Sequence, residues 1–209
     1  MRMKTIMTVL AGLTMLLQIC LPAQALLIVD TGPGPNGNFG GLSLNDTSWL
    51  AGRFDVTPLQ FHTVDSIKGW IGDTLGGTGT IAIYSNDTTT SLPGSELFST
   101  PFSVTENFGY DWYGVTGLNW YLNTGTYWVA FEVRQGDSLL AAMETGVPFP
   151  LAAYAGTFNP PGGYEAFLDP TLDGFGVQIN AVPEPGTMLL LGTGLFGLGF
   201  ARRIMRRQG

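Results

Sequence analysis

Residues 126–134, with the sequence TYWVAFEVR, alternate between large apolar side chains and other residues over their whole length. Period-two alternation predicts a β-strand with one buried face, here formed by Tyr127, Val129, Phe131 and Val133. Shorter runs of the same kind occur at residues 48–56, 63–71, 79–85, 96–104, 113–122, 139–144 and 175–180. Because no window between residues 26 and 181 carries apolar residues at helical spacing over three turns, the sequence predicts an all-β fold.

Residue pairs that favour turns separate these runs. They are Asn86-Asp87, Pro93-Gly94, Asn123-Thr124-Gly125, Gly136-Asp137 and the stretch 160–163. The short link 123–125 predicts that the strands on either side pair as an antiparallel hairpin. About eight strands at this spacing favour an antiparallel β-sandwich of jelly-roll type, with a closed barrel as the alternative.

The N-terminal segment has the three parts of a secretory signal peptide. Arg2 and Lys4 precede an apolar stretch at residues 5–21, and Ala23 and Ala25 supply the small residues that signal peptidase requires. We expect a signal peptide at residues 1–25, a Gly/Pro-rich leader at 26–41 and the β domain at 42–181. Cys20 is the only cysteine and lies within the predicted signal, so disulfides and cysteine chemistry are excluded from the domain.

The C-terminal tail, residues 182–209, combines a short polar motif, an apolar run and a basic cluster. The motif is Val182, Pro183, Glu184 and Pro185, and the cluster is Arg202, Arg203, Arg206 and Arg207. The uncharged run at 188–201 is short for a bilayer, so a membrane helix over residues 188–205 would need its arginines to reach the headgroups. These arginines predict a cytoplasmic C-terminus. The alternative is a buried helix of a soluble domain.

The order of these three parts resembles the sorting signal of PEP-CTERM proteins. The resemblance covers the last 28 residues. It implies that a membrane enzyme, exosortase, recognises Pro183, Glu184 and Pro185 and removes the tail. The protein would then begin as an inner-membrane-anchored precursor and end in the cell envelope, on the outer surface or outside a bacterium that makes extracellular polysaccharide.

Residues 26–181 are strongly acidic. Their only strong bases are Arg53, Lys68 and Arg134, against 15 of the chain's 16 acids, so their net charge is about −12. Nucleic acid is therefore excluded as a partner, since its binding depends on clustered Lys and Arg.

No catalytic or cofactor motif has its required partners. The letters GDSL at residues 136–139 name an esterase family, but the only histidine is His62, far upstream, so a turn is predicted there. We expect no cofactor, with a structural calcium ion as the one metal that acidic loops could hold. A glycosidase would need paired acids, for which Asp111, Glu132, Asp169 and Asp173 are candidates.

Aromatic residues are dense between residues 110 and 128, and strand alternation prevents them from sharing one face. Exposed rings stack on sugar faces, so Trp112, Trp120 and Trp128 are candidate glycan contacts. The leading hypothesis is an exported, non-enzymatic surface or matrix protein associated with polysaccharide. The alternatives are a secreted hydrolase of envelope glycans or esters and a membrane-anchored adhesion module.

Overall fold

The structure, a computed structural model, describes residues 26–33, 41–58, 62–144, 154–157, 163–166 and 175–182. Within these ranges the regular secondary structure consists of β-strands alone, and all pairings between strands are antiparallel. The strands are β1 (Leu26–Asp30), β2 (Leu42–Leu44), β3 (Trp49–Val56), β4 (Thr63–Thr74), β5 (Gly77–Asn86), β6 (Pro93–Val104), β7 (Asn107–Tyr121), β8 (Gly125–Glu132), β9 (Ala141–Met143), β10 (Tyr154–Thr157), β11 (Glu165–Ala166) and β12 (Val177–Val182). The prediction of an all-β, antiparallel fold is confirmed.

The strands form two six-stranded sheets. Sheet I runs β1-β12-β4-β7, and sheet II runs β11-β10-β3-β8-β5-β6. Strands β9 and β2 complete sheet I. Ile71 and Gly72 of β4 pair with β7 on one edge and with β9 on the other. Strand β9 therefore lies on the same edge of β4 as β12, beyond the end of β12.

The eight long strands pair in a nested order. Strand β1 pairs with β12, β3 with β8, β4 with β7, and β5 with β6. Among these eight, the first strand pairs with the last, the second with the second-to-last, and so on to the central pair. This is the strand order of a jelly roll, in which one long hairpin is folded into two sheets. Both ends of the domain consequently lie side by side in sheet I.

One hydrophobic core lies between the sheets. Alternate residues of β4 and β12, including Ile67, Ile71 and Ile179, meet residues of sheet II in a single buried cluster. At its centre the ring of Phe131 packs edge-on against Phe175, with ring centroids 5.9 Å apart. Each fully buried side chain of this size contributes roughly 1.5–3 kcal/mol, so the shared core is the main term holding the sheets together.

The predicted hairpin between β7 and β8 is wrong. The two strands lie in different sheets, and the link at residues 122–124 crosses from one to the other. At the crossing Leu122 is buried, and its backbone N–H donates to the carbonyl of His62 at 2.8 Å. The turn residues permit a reversal, but they do not determine which sheet receives the next strand.

Two further expectations need correction. Residues 26–30 belong to the β domain, not to a leader, because β1 forms an edge of sheet I. Strand β8 is buried on both faces: a second small cluster, formed by Ala51, Ala82, Trp128 and Ala130, covers the side that faces away from the main core. Tyr164 packs over this cluster, so a distant part of the chain shields a face that the local sequence left exposed.

Candidate functional site

The outer face of sheet I carries a pair of indole rings. Trp70 on β4 lies directly opposite Trp112 on β7, and their ring centroids are 5.2 Å apart at an interplanar angle of 61°. Ile71 and Ile67 point into the core, so alternation directs Trp70 outward. Both indoles are half-buried, which leaves part of each ring open to solvent.

Two neighbours hold the Trp70 ring in place. Its indole N–H donates to Oε2 of Glu144 at 3.0 Å, and Glu144 is itself only 4% exposed. On the other side, a side chain at Gly176 would put its Cβ 2.5 Å from the Cβ of Trp70, so only glycine allows this close packing. Trp70 is therefore fixed before any ligand arrives, which lowers the entropic cost of binding.

Polar groups lie beside the indole pair. Lys68 is two residues before Trp70 on the same face and is paired in register with Gly114 on one side and Gln178 on the other. Within the part of the chain that the structure describes, Lys68 makes no ion pair. The outer face thus combines apolar rings with an ammonium and an amide, a mixture suited to a ligand with both C–H faces and hydroxyl groups.

The three predicted glycan contacts have different positions. Trp112 belongs to the outer face of sheet I. Trp120 does not: it stacks on Phe98 of sheet II, with ring centroids 5.3 Å apart and planes 11° apart, and so joins the two sheets. The prediction is wrong for Trp128, which is fully buried and whose indole N–H donates to Asn86 Oδ1 at 2.9 Å.

Sequence reasoning missed Trp70. The signal was present in residues 66–72, SIKGWIG, where Ile67 and Ile71 are four residues apart and Trp70 falls on the opposite face of a strand. This run predicts a strand but not an aromatic pair, because Trp112, the partner of Trp70, is far away in sequence.

The outer side of sheet II holds a buried carboxylate. Glu132 is completely buried and accepts hydrogen bonds from the hydroxyls of Tyr84 at 2.8 Å and of Tyr164. Its second oxygen accepts from Nε of Arg134 at 2.5 Å, and the same guanidinium reaches Glu96 at 2.6 Å. Both oxygens of Glu132 are therefore engaged in bonds to Tyr84, Tyr164 and Arg134.

The charges of this network alter its titration. Burial and the adjacent carboxylate of Glu132 raise the pKa of Tyr84 and of Tyr164 above the usual value of 10.0. Although partial burial works in the opposite direction, hydrogen bonds from Ser99 and Arg134 lower the pKa of Glu96. The raised pKa values keep Tyr84 and Tyr164 neutral, and the lowered pKa of Glu96 keeps that carboxylate ionised.

The GDSL segment forms the predicted turn. Gly136 has a φ of 97°, and the N–H of Asp137 donates to the carbonyl of Arg134 at 2.9 Å. The hydroxyl of Ser138 accepts from the N–H of Thr78 at 3.2 Å, which ties the turn to β5. His62 bonds elsewhere, through Nδ1 to the carbonyl of Leu122.

Among the residues that the structure describes, no three His, Cys, Asp or Glu side chains lie together as a possible metal site. The structural calcium ion stays a prediction. Of the other candidate acids, Asp111 is exposed on β7, whereas Asp169 and Asp173 lie outside the described ranges.

Of the predicted processing residues, the structure describes only Val182. It is the last residue of β12 and pairs with Thr63. Pro183, Glu184, Pro185, the four arginines of the tail, Ala23 and Ala25 lie outside the described residues, as do the predicted signal peptide and membrane helix. None of the described ranges contains a helix that could span a bilayer.

Comparison with protein families identifies the tail. Residues 181–207 match the family model of the PEP-CTERM protein-sorting motif. The chain carries a PEP-CTERM sorting motif. This motif implies an exported, membrane-anchored precursor that exosortase processes, as the resemblance of the tail predicted.

The PEP-CTERM motif begins inside the folded domain, since its first two residues, Ala181 and Val182, are the last two of β12. No curated protein matches the chain.

Proposed function

We propose that this PEP-CTERM protein is a non-enzymatic component of the cell surface or extracellular matrix that binds polysaccharide through the outer face of sheet I. The observation that carries the proposal is the fixed pair Trp70 and Trp112, partly open to solvent and flanked by Lys68 and Gln178. The C–H faces of a sugar stack on indole rings, and its hydroxyls bond to ammonium and amide groups.

The proposal also states that the protein does not catalyse a reaction. Its support is that the residues most suggestive of chemistry are engaged in structural bonds: Ser138 with Thr78, and Glu132 with Tyr84, Tyr164 and Arg134. A polysaccharide bound by the protein should therefore keep its chain length and its ester groups.

The test replaces Trp112 by alanine in the exported, processed protein. Losing roughly 60 Å² of buried indole at about 25 cal/mol per Å² gives about 1.5 kcal/mol, or roughly tenfold weaker binding. Mobility in gels containing the producer's own polysaccharide measures the affinity. The fraction of the protein retained in the matrix of the culture should fall in parallel.

The matched control is Tyr121→Ala, which removes an exposed ring from the other end of the same strand. It should leave both affinity and retention unchanged. The proposal is wrong if Trp112→Ala and Trp70→Ala each bind as the unmodified protein does. Shortening of the polysaccharide by the purified protein would contradict the non-enzymatic part alone.

A further inference from the structure

Both ends of the domain leave the fold at one end of sheet I. Leu26 pairs with Ala181, and Thr63 pairs with the adjacent Val182, so these residues form a terminal row, two residues deep, across β1, β12 and β4. The chain continues beyond both ends of this row. Residues 1–25 precede Leu26 and contain the apolar stretch 5–21, while residues 183–209 follow Val182 and contain the apolar run 188–201.

The connections between this row and the apolar runs are short. Met188 is the sixth residue after Val182, and a chain of this length spans at most about 20 Å when fully extended. Strand β4 runs from Thr63 in the row to Thr74 at the far end, a distance of about 36 Å at roughly 3.3 Å per residue. A membrane that holds the apolar run therefore lies close to the row and well away from Thr74.

An exposed aromatic side chain lies at the same end. Thr63 pairs with Val182 on one side and with Tyr121 on the other, which places Tyr121 two strands, or about 10 Å, from Val182. Tyr121 is 51% exposed, and its ring is 5.8 Å from that of His62. Tyrosine is enriched at the headgroup level of membrane proteins, because its ring is apolar and its hydroxyl is polar.

We propose that the end of the domain formed by Leu26, Thr63, Tyr121 and Val182 lies against the lipid headgroups in the anchored precursor. Tyr121 is the side chain that contacts them. This placement holds the long axis of sheet I away from the membrane and leaves the outer face with Trp70 and Trp112 directed sideways. The inference depends on the anchored precursor and not on polysaccharide binding.

The experiment places a single fluorescent label at either end of β7 in the full precursor. Cys20→Ser removes the only native cysteine, and Tyr121→Cys or Phe108→Cys then accepts an environment-sensitive dye. Phe108 is 74% exposed and lies near the Thr74 end, so it is the matched control. The precursor is reconstituted into vesicles of phosphatidylethanolamine and phosphatidylglycerol that contain a lipid with a nitroxide on its headgroup.

The label at residue 121 should be quenched several-fold more strongly than the label at residue 108. Asn123→Cys gives a second exposed position at the same end and should behave like residue 121, so the test survives if Tyr121→Cys fails to fold. Equal quenching at both ends of β7, stronger quenching at residue 108, or no quenching at residues 121 and 123 would each overturn the proposal.

Discussion

The buried network around Glu132 gives a stability prediction with a defined size. Among the residues that the structure describes, Arg134 is the only cation bonded to Glu132, a carboxylate with no exposure to solvent. Arg134→Met removes this cation, while the methionine keeps most of the aliphatic volume of arginine. The hydroxyls of Tyr84 and Tyr164 still bond to Glu132, but they carry no compensating charge. We therefore expect the variant to fold with markedly lower stability.

The magnitude follows from the burial of the two partners. Removing one partner of a buried ion pair costs about 3–5 kcal/mol, and the side chain of Arg134 is 30% exposed, which favours a value of about 3 kcal/mol. For a domain of this size each kcal/mol shifts Tm by about 2–4 °C, so the midpoint should fall by about 6–12 °C. Urea unfolding followed by circular dichroism gives the free energy independently of Tm.

Two variants test whether the loss of stability comes from the burial of the ion pair or from the loss of a charge alone. Glu96→Gln breaks the other ion pair of Arg134, whose carboxylate is 38% exposed, and should cost less than about 1 kcal/mol. The double variant Glu132→Gln with Arg134→Met removes both charges and should recover most of the stability lost by Arg134→Met alone. Equal losses in Arg134→Met and Glu96→Gln, or a double variant less stable than Arg134→Met, would refute this reasoning.

The same network predicts a stability profile against pH. Because the pKa of Glu96 is lowered, the stability that Glu96 contributes is present above pH 4.5 and is lost as pH falls through the lowered pKa. Because the pKa values of Tyr84 and Tyr164 are raised, the stability that these tyrosines contribute is complete below pH 10.0 and is lost as pH rises through the raised values. Urea midpoints measured across pH check both limbs, and Glu96→Gln should flatten mainly the acidic limb, because the charge of Glu96 is a minor cause of the raised pKa of Tyr84. A separate prediction concerns Gly114, where an added Cβ would lie 2.0 Å from the carbonyl oxygen of Ile67 and would push β7 away from β4. Gly114→Ala should cost about 1–3 kcal/mol in urea unfolding, whereas Gly109→Ala on the same strand, with its nearest atom at 3.6 Å, should cost little; similar losses at both positions would count against the close packing of these strands.

The positions of most strands could be predicted because alternation is a local property. The run at 126–134 contains all of β8 except Gly125, and the run at 63–71 contains most of β4. The pairing of strands could not be predicted in the same way. A jelly roll joins β7 to β4 and β8 to β3, so the apparent hairpin at residues 123–125 connects strands that never pair with each other.

The exposure of the aromatic side chains at the candidate site also depends on contacts between residues that are distant in sequence. The density of aromatic residues includes Trp112, which lies on the outer face of sheet I, but it leaves out Trp70 and includes Trp128, which is buried. Trp128 lies on the face of β8 that Tyr164 covers, and Trp70 gains its significance only from its position opposite Trp112. Alternation determines which side chains share a face, while the rest of the fold determines whether that face reaches solvent.

The nested strand order has a consequence for how the chain folds. Residue 26 must find residue 181 before β1 can pair, and β12 occupies the middle of sheet I between β1 and β4. Contacts between such distant residues make folding slow, since a large loop must close before they form. Sheet I therefore cannot close before β12 is available, and the first residues of the sorting motif complete that strand. A chain truncated before residue 177 would leave β1 without its partner, and such unpaired strands are prone to aggregation.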